Sequence, residues 1–470
     1  MDLVSSLRIS GTKIPNLTGF LQNNFSYFSS MSNSPEPPKL ARVLTLLDAT
    51  MINAGGIIGS GIFMVPATIA LLTGSTSLIL AVWVFGGLIS LFGALSVAEL
   101  GAAMPRAGGQ FVYLNEAYGP VWGYLYGWSC VAVINTASIA AVGVAFSEYL
   151  SFFFPLSTMG IKSVAILSVI LLTIINILDV KSGARAQNIF TLLKIGAIFG
   201  IISLGLVMDG GSAENIQPFY PDRPLPALVG PLGLAMVSVL WTYDGWIFIT
   251  YVAGEVKNPG RNIPLSLVFC MLIVISIYLL INFVFTYTLG IGAMGTSTLV
   301  ASDSAFIFLG EKGAALVSII ILISLLGANN GFILTSARIN YAMARDKLFF
   351  RQAAKVHPRF KSPANALIIQ AIWACALTFS GTYNQLITYI IFASWIFYAM
   401  SCAAVIILRK KRPEMKRPYK TPGYPYIPII FILFAVFLTF NTILEAPRDA
   451  AVGAGIILAG LPLYFYWKKT

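Results

Sequence analysis

The sequence predicts an all-α integral membrane protein with twelve membrane-spanning helices. Hydrophobic residues make up 57% of its 470 residues and charged residues only 10%, whereas a soluble domain carries roughly 25% charged residues. The mean hydropathy is +0.82. Apolar runs recur along the chain, and each is long enough to cross ~30 Å of hydrocarbon as a helix. The predicted spans lie near residues 44–72, 78–103, 121–151, 161–178, 187–208, 232–254, 264–290, 313–344, 364–381, 386–408, 425–444 and 450–467.

Positive charges are distributed unequally between the two sides of the predicted membrane. With the N-terminus inside, the outer loops hold only Lys162, Arg223, Lys312 and Arg448. Lys194 lies within the fifth span, so the rest of the 30 Lys and Arg residues lie on the inner side. This is the bias expected of a multi-pass membrane protein with cytoplasmic termini. It accounts for the net charge of +12 without a nucleic-acid partner.

The chain begins with a polar segment, residues 1–42, which we expect to be a cytoplasmic tail. The stretch "MSNSPEPPKL", which starts at Met31, is typical of the start of such a tail, so we expect residues 1–30 to lie upstream of the native start. They lack the apolar core and cleavage site of a signal peptide. The other end of the chain, residues 409–470, combines the basic linker "RKKRPEMKRPYKTPGYP" (409–425) with the last two spans.

The first ten spans divide into two units of five, residues 43–208 and 232–408. Each unit opens with a span that is interrupted in its middle, by "INAGGIIGSGIF" in span 1 and by "LWTYDGWIFI" in span 6. Corresponding weak points in two halves indicate a transporter built from inverted repeats. An odd number of spans in each unit gives the two units opposite topology.

The stretch "GGIIGSG", residues 55–61, places four glycines inside the first predicted span. Each costs about 1 kcal/mol relative to alanine in a helix interior. No strand precedes them and no Walker lysine follows, which excludes a phosphate-binding loop. They favour either close helix packing or a break that exposes the N-terminus of a half-helix, with its charge of about +0.5. The partner break in span 6 favours the second interpretation.

Two ionisable residues lie deep in predicted spans, Asp244 in "WTYDGW" and Lys194 in "QNIFTLLKIGAIFG". A charge at the bilayer centre costs ~2.5–3.5 kcal/mol on insertion scales, so we expect both residues to serve function. The alternatives are a structural ion pair between the two and, for Lys194, a side chain that snorkels to the interface. Glu99 and Glu255 lie at inner helix ends, where we expect them to hold a cytoplasmic gate or to cap loops.

The remaining polar residues exclude other classes of protein. The single histidine, His357, lies in a basic loop, and the four cysteines lie in apolar runs without metal-ligand spacing. The spans contain no carboxylate pair, His or Cys constellation for an enzyme and no filter-like repeat for a channel. We therefore expect no enzymatic activity, no metal and no cofactor.

Four motifs occur in a characteristic order: "GGIIGSGIF", "AELGAAMPRAGGQFVYLNEAYGP", "YDGW" followed by "GEVKNPGRNIP", and "RPYKTPGYP". Together they resemble the amino acid–polyamine–organocation superfamily and, within it, the L-amino-acid transporter branch that includes bacterial serine/threonine exchanger-like members. The resemblance covers residues ~40–467. It implies the leucine-transporter fold, with the substrate held between broken helices 1 and 6.

The resemblance also implies roles for residues at the two breaks. It places the substrate carboxylate on the backbone and hydroxyl of Ser60 and on Gly61. Ile57, together with unwound carbonyls near Trp241 and Asp244, would bind the α-ammonium group. Trp241 matches the aromatic gate over the substrate, and we expect Asp244 to determine tolerance for cationic side chains.

Two further residues follow from a looser match to the same superfamily. Asn135 in span 3 and Phe332 in span 8 would line the substrate pocket. The lysine that matches Lys194 occupies the place where sodium-coupled relatives bind a sodium ion between helices 1, 5 and 8. The resemblance therefore implies sodium-independent transport, with Lys194 acting as a permanent charge or as a proton carrier.

The sequence thus predicts a secondary active transporter of L-amino acids in the plasma membrane that works by alternating access. Exchange and proton-coupled uptake both remain open, and the alternative substrate is a polyamine or a strictly cationic amino acid. Animal members of the branch bond to a heavy chain through a cysteine in the outer loop after span 3. That loop reads "SFFFPLSTMGIK" here, so we expect no disulfide-linked heavy chain.

Overall fold

The structure, a computed structural model, describes residues 42–59, 61–178, 180–357, 360, 362–379 and 383–469. Within these ranges the chain is helical, and its β-structure is limited to isolated bridges. The predicted tail lies outside the described residues except for Arg42, and so does Ser60, one of the predicted site residues.

The helices follow the predicted spans in order. They are α1 Leu46–Ile57, α2 Gly61–Thr73, α3 Thr76–Ala103, α4 Gln110–Tyr118, α5 Pro120–Leu150, α6 Thr158–Leu178, α7 Val180–Val207, α8 Leu225–Thr242, α9 Phe248–Tyr251, α10 Pro259–Thr296, α11 Val300–Arg345, α12 Ala364–Leu377, α13 Tyr383–Lys411, α14 Tyr426–Glu445 and α15 Pro447–Lys469.

Nine of these helices are long and apolar enough to cross a membrane, and α1 with α2 provides a tenth span when the bent pair is counted as one. The all-helical membrane architecture predicted from the sequence is therefore confirmed. Predicted spans 6 and 9 correspond to the shorter apolar helices Pro226–Thr242 and Ala364–Leu377. The twelve-span count and the inverted repeat remain predictions.

The first predicted interruption separates α1 from α2. A capping box begins α1, in which Thr45 N–H donates to the Asp48 carboxylate at 2.8 Å and Asp48 N–H donates to the Thr45 hydroxyl at 3.3 Å, as is typical of helix N-termini. The helix ends where Ile58 adopts ψ 83°. The axes of α1 and α2 differ by 43°, so the span is bent as well as interrupted.

The second interruption follows α8. The chain leaves the helix at Tyr243 and turns through Gly245, whose φ of 108° suits glycine. The turn touches the first interruption, because a Cβ on Gly245 would lie 3.1 Å from both Gly56 C and Ile57 N. The two breaks therefore meet in backbone-to-backbone contact.

The longest helices pack around these breaks. α10 contacts α1, α2 and α3, and α11 contacts α1, α5 and α7. Two features are absent from the sequence prediction: the short helix α4, and kinks in α10 at Gly290 (φ 74°) and in α11 at Gly310 (φ 65°). Both kinked helices are consequently longer than the predicted spans.

We expect Gly245→Ala to destabilise the protein more than Gly74→Ala does. Both glycines have positive φ, 108° and 63°, and a non-glycine residue with left-handed backbone costs roughly 1–2 kcal/mol. An added Cβ meets backbone atoms only at Gly245, since nothing lies within 4 Å of the corresponding position at Gly74. Thermal unfolding of the purified proteins in detergent measures the difference, and equal shifts would contradict the contact between the two breaks.

Candidate functional site

The glycines of residues 55–61 serve both packing and the break. A Cβ on Gly55 would lie 2.2 Å from the Thr191 hydroxyl, one on Gly56 2.6 Å from the Phe248 ring, and one on Gly61 2.9 Å from Thr242 Cα. These three positions therefore require glycine for close packing. Gly59, beside the break, has only an ordinary contact, at 3.4 Å to the Ala328 side chain. The two interpretations of the motif are complementary, because the packing glycines bring the broken helices together.

Lys194 of α7 satisfies backbone groups at the end of α1. Its Nζ donates to the carbonyl oxygens of Gly55 and Ile58, both at 2.9 Å. The last carbonyls of a helix have no partner within that helix, and inside a membrane an unpaired one costs several kcal/mol. The side chain is buried, 1% exposed, which rules out the snorkelling alternative.

Tyr278 of α10 contacts both breaks, although no motif in the sequence indicates this. Its hydroxyl lies 2.9 Å from the Ile57 carbonyl and 3.1 Å from the Thr242 carbonyl. One hydroxyl proton is thereby shared between the last turn of α1 and the last residue of α8. A second link between the breaks is the Ile249 N–H, which donates to the Asn53 side chain at 2.9 Å. Tyr278 therefore holds both interrupted helices at once.

Asp244 is buried at the second break and accepts a hydrogen bond from Tyr398 of α13 at 2.5 Å. Tyr398 packs against Trp246, with ring centroids 5.1 Å apart. Among the ion pairs of the described residues none joins Asp244 to Lys194, whose ammonium is bound to α1. The structural ion pair considered from the sequence is therefore wrong, and the reason is that the α1 carbonyls occupy the lysine.

Aromatic rings close the region between the breaks. Trp241 of α8 stacks on Phe332 of α11, with ring centroids 6.4 Å apart and planes at 14°. Phe332 also meets Phe248 edge-on at 4.9 Å. The structure thus brings Trp241, predicted as the gate over the substrate, against Phe332, predicted to line the pocket.

Asn135 begins the regular part of α5 directly after a π-helical turn, Cys130–Ile134. Such π-bulges are frequent at functional sites. The Asn135 side chain is 4% exposed. Nothing in the described contacts links it directly to Trp241 or Lys194, so its place in the pocket remains a prediction.

Glu99 and Glu255, predicted together as gate residues, lie in separate clusters. Glu99 accepts hydrogen bonds from Arg409 at 2.6 and 2.9 Å and from the Thr421 N–H at 2.8 Å, and Arg417 lies 3.3 Å away. Its carboxylate therefore fastens the basic linker. We refer to this end of the helical bundle as the linker end.

Glu255 joins the start of the described chain to the second break. Val43 N–H and Leu44 N–H both donate to its carbonyl at 2.9 Å, and Lys257 N–H donates to the Leu44 carbonyl at 2.8 Å. The Glu255 carboxylate pairs with buried Arg338 of α11 at 3.4 Å. α1, α11 and the segment after α9 are thereby tied together.

A cavity of about 1020 Å³ lies at the opposite end of the broken helices. We call it the vestibule. It borders α2, the end of α5, α8 and the segment before α11, and its lining includes Met64, Thr68, Glu148, Ser151, Ser238 and Ser297. Ser238 precedes Trp241 by one helical turn, so the vestibule reaches towards the stacked rings.

Among the described residues no group of three or more His, Cys, Asp or Glu side chains is placed to hold a metal ion. The groups available for binding at this site belong to the backbone. They are the carbonyls at two interrupted helices and the N-terminus of α2, which faces the same region. Half-helix ends at mid-membrane are the device by which transporters bind small charged solutes. Fold and site together define the class of a membrane transporter.

Comparison with known proteins gives the family. The family model described as amino acid permease matches residues 44–467, and the chain belongs to this family. It is therefore a transporter and not an enzyme.

Three relatives match over nearly their whole length. The chain is 33% identical to the serine/threonine exchanger SteT of Bacillus subtilis, over 92% of this chain and 98% of that protein. It is 32% identical to the human b(0,+)-type amino acid transporter 1, over 95% and 92%. It is 31% identical to the human cystine/glutamate transporter, over 96% and 92%.

We expect Tyr278→Phe to loosen both breaks at once. Losing the hydroxyl removes a donor shared by the Ile57 and Thr242 carbonyls, at a cost of about 1–3 kcal/mol. Hydrogen–deuterium exchange should therefore accelerate in the segments around both residues. Tyr118→Phe is the matched control, because its hydroxyl also donates to a carbonyl, that of Met400, away from the breaks. Equal exchange in the two variants would show that Tyr278 does not join the breaks.

Proposed function

We propose that this protein is a secondary active transporter of L-amino acids that works by alternating access in the plasma membrane. The single observation that carries the proposal is the contact between two interrupted helices, whose carbonyls are held by Lys194 and Tyr278. The names of the relatives, all amino acid exchangers or transporters, support the same substrate class. The excess of Lys and Arg at the linker end supports cytoplasmic termini.

The proposed architecture is the leucine-transporter fold of twelve spans. Its first five-helix unit comprises residues 43–208, and its second, inverted unit comprises residues 232–408. The basic linker and helices 11 and 12 lie in residues 409–470. Support comes from the two interruptions, each in the first span of its unit, and from their mutual contact at Gly245.

The substrate would lie between the breaks with its carboxylate at the N-terminus of α2. Gly61 begins that half-helix and Ser60 precedes it in the sequence. The first N–H groups of the half-helix have no intrahelical acceptor, and its dipole favours an anion. The α-ammonium group would bind carbonyls near Ile57 and in the turn after Trp241, and the stacked Trp241 and Phe332 rings would cover it. Asn135 would line the same pocket.

In this proposal the described conformation would be an outward-facing state of the cycle. The vestibule would open to the outside, while the Glu255–Arg338 pair and the Leu44 bridge keep the cytoplasmic end closed. Inward opening would require these contacts to break. Glu99, bound to the linker, would act as a fixed anchor against which the gate moves.

Lys194 would take the place of a sodium ion, since its ammonium group binds two carbonyls of the first broken span. Transport would then be sodium-independent. Exchange and proton-coupled uptake are both compatible with this role, the lysine being a fixed charge in the first case and a proton carrier in the second.

A polyamine or strictly cationic amino acid is the second candidate substrate, and Asp244 favours it. A buried carboxylate near the breaks can attract a second positive charge on a substrate. Tyr398 already donates to this carboxylate, so the hydrogen bond would hold it in place for that contact. The loop after α5 contains no cysteine, and we propose that the chain functions without a disulfide-linked partner.

Counterflow in proteoliposomes tests the function. We expect the purified single chain to exchange a labelled neutral amino acid for an internal unlabelled one, and a sodium gradient to leave the rate unchanged. An imposed proton gradient distinguishes proton-coupled uptake from strict exchange. Absence of counterflow for a panel of neutral and cationic amino acids would contradict the proposal, as would strict dependence on sodium or on a second polypeptide.

Lys194→Ala is expected to fold but to transport at least roughly ten-fold more slowly, because two α1 carbonyls lose their donor. Lys312→Ala is the control. It removes an exposed lysine at the vestibule end of the bundle, and the variant should transport normally. If Lys194 carries protons, the Lys194→Ala variant loses its response to a proton gradient and keeps residual exchange. If Lys194 is a fixed charge, the rates of exchange and of proton-driven uptake decrease by the same factor. Wild-type rates in both modes would exclude a role for the lysine.

A further inference from the structure

The vestibule contains a carboxylate that has no role in the central site, the proposed substrate site between the broken helices. Glu148, near the end of α5, is the single charged residue among the described residues that line the cavity. Neither Lys nor Arg nor His lies among them. A cavity of about 1020 Å³ accommodates an amino acid together with water, so the carboxylate faces a space that a substrate can occupy.

Glu148 lacks a partner within the described structure. It takes part in none of the ion pairs there, and its side chain has no hydrogen bond. Glu148 also lies in the last turn of a helix, where the helix dipole makes a negative charge unfavourable. An unpaired carboxylate at the negative end of a helix is poorly stabilised by the protein alone and well placed to bind a cation.

Hydroxyl groups in the same cavity also favour a cation. Ser151 donates to the Ser147 carbonyl at 3.3 Å, Ser297 donates to the Asp303 carboxylate at 2.5 Å, and Thr442 donates to the Leu438 carbonyl at 2.9 Å. Their protons are therefore committed, which leaves oxygen lone pairs as acceptors. An ammonium group needs acceptors of this kind.

The surrounding end of the bundle is acidic as well. The residues that the predicted topology places at this end include the positive charges of Lys162, Arg223, Lys312 and Arg448, and a larger number of carboxylates, those of Asp209, Glu214, Asp222, Asp303, Glu311, Glu445 and Asp449. A field of one sign over a cleft raises the local concentration of oppositely charged solutes. The approach to the vestibule therefore favours cations.

We propose that Glu148 forms an outer binding site for the second positive charge of a cationic amino acid, before the substrate reaches the broken helices. The ligand chemistry is a primary alkylammonium group, as in the side chain of lysine or ornithine. The site deepens the transport function proposed above and rests on it. It acts from the vestibule side alone, whereas the central site is reached from both sides in turn.

The test compares lysine with norleucine, which has the same four-carbon side chain without the ammonium group. Each competes from outside against labelled alanine uptake into proteoliposomes. Glu148→Gln should weaken competition by lysine on the order of five-fold, the effect of losing one partly exposed ion pair. Competition by norleucine and the KM for alanine should stay unchanged, and Glu148→Asp should restore most of the effect of lysine.

Two controls distinguish binding at Glu148 from a general electrostatic effect of the acidic surface and from binding at the central site. Glu311→Gln removes the same charge from an exposed position at the same end outside the cavity lining and should leave competition by lysine unchanged. Internal lysine, acting as exchange partner, should stimulate wild type and Glu148→Gln equally. Equal weakening in both Glu variants, a parallel change for norleucine, or a change for internal lysine would each overturn the proposal.

A binding measurement keeps the inference independent of transport. Lysine should raise the unfolding temperature of the purified wild type more than norleucine does, and Glu148→Gln should reduce that difference, whereas Glu311→Gln should leave it unchanged. Wild type that shows no counterflow for the panel of neutral and cationic amino acids refutes the transport function, while this binding difference still decides on Glu148. Normal alanine uptake with no preference for lysine in either measurement refutes the outer site alone.

Discussion

The structure depends on one constraint: backbone groups freed by two helix breaks must find partners where no water is available. Lys194 holds the Gly55 and Ile58 carbonyls, and Tyr278 lies between those of Ile57 and Thr242. These side chains come from α7 and α10, helices outside the breaks themselves. The position of the α1 terminus is therefore set by two neighbouring helices, and a movement of either one displaces the groups proposed to bind substrate.

Because the backbones approach each other closely, a few side chains can pair the freed groups of both breaks. Gly56 and Gly61 pack against α9 and α8, and Gly245 brings the second break against the first. With larger residues the Ile57 and Thr242 carbonyls could not share one tyrosine hydroxyl. The glycines thus weaken the helices locally and at the same time shorten the distance over which the freed groups must be paired, so packing and interruption are two effects of one pattern.

The sequence predicts the parts of this arrangement that depend on composition and on rare residues. Long apolar runs indicate the helices, glycines and "YDGW" indicate the breaks, and a lysine inside a span indicates a buried partner. Tyr278 was missed because a tyrosine in "ISIYLLINF" looks like any amphipathic core residue. Its role arises from contacts with residues 36 and 221 positions away. The same holds for Tyr398, which is 154 residues from Asp244. Local patterns carry no information about such pairs.

The charges at the two ends of the bundle differ in how they are compensated. At the linker end Glu99 is bound by Arg409 and Glu255 by Arg338, so these carboxylates have little attraction left for a solute. At the vestibule end Glu148 is unpaired. A positive charge on a substrate would therefore be favoured on one face of the membrane before transport begins. The free energy that an outer site contributes when a substrate binds on that face must be given up again when the substrate leaves on that face. Such a site can therefore change the apparent affinity and the rate of substrate capture there. It leaves the overall equilibrium across the membrane to the coupling mechanism at the breaks.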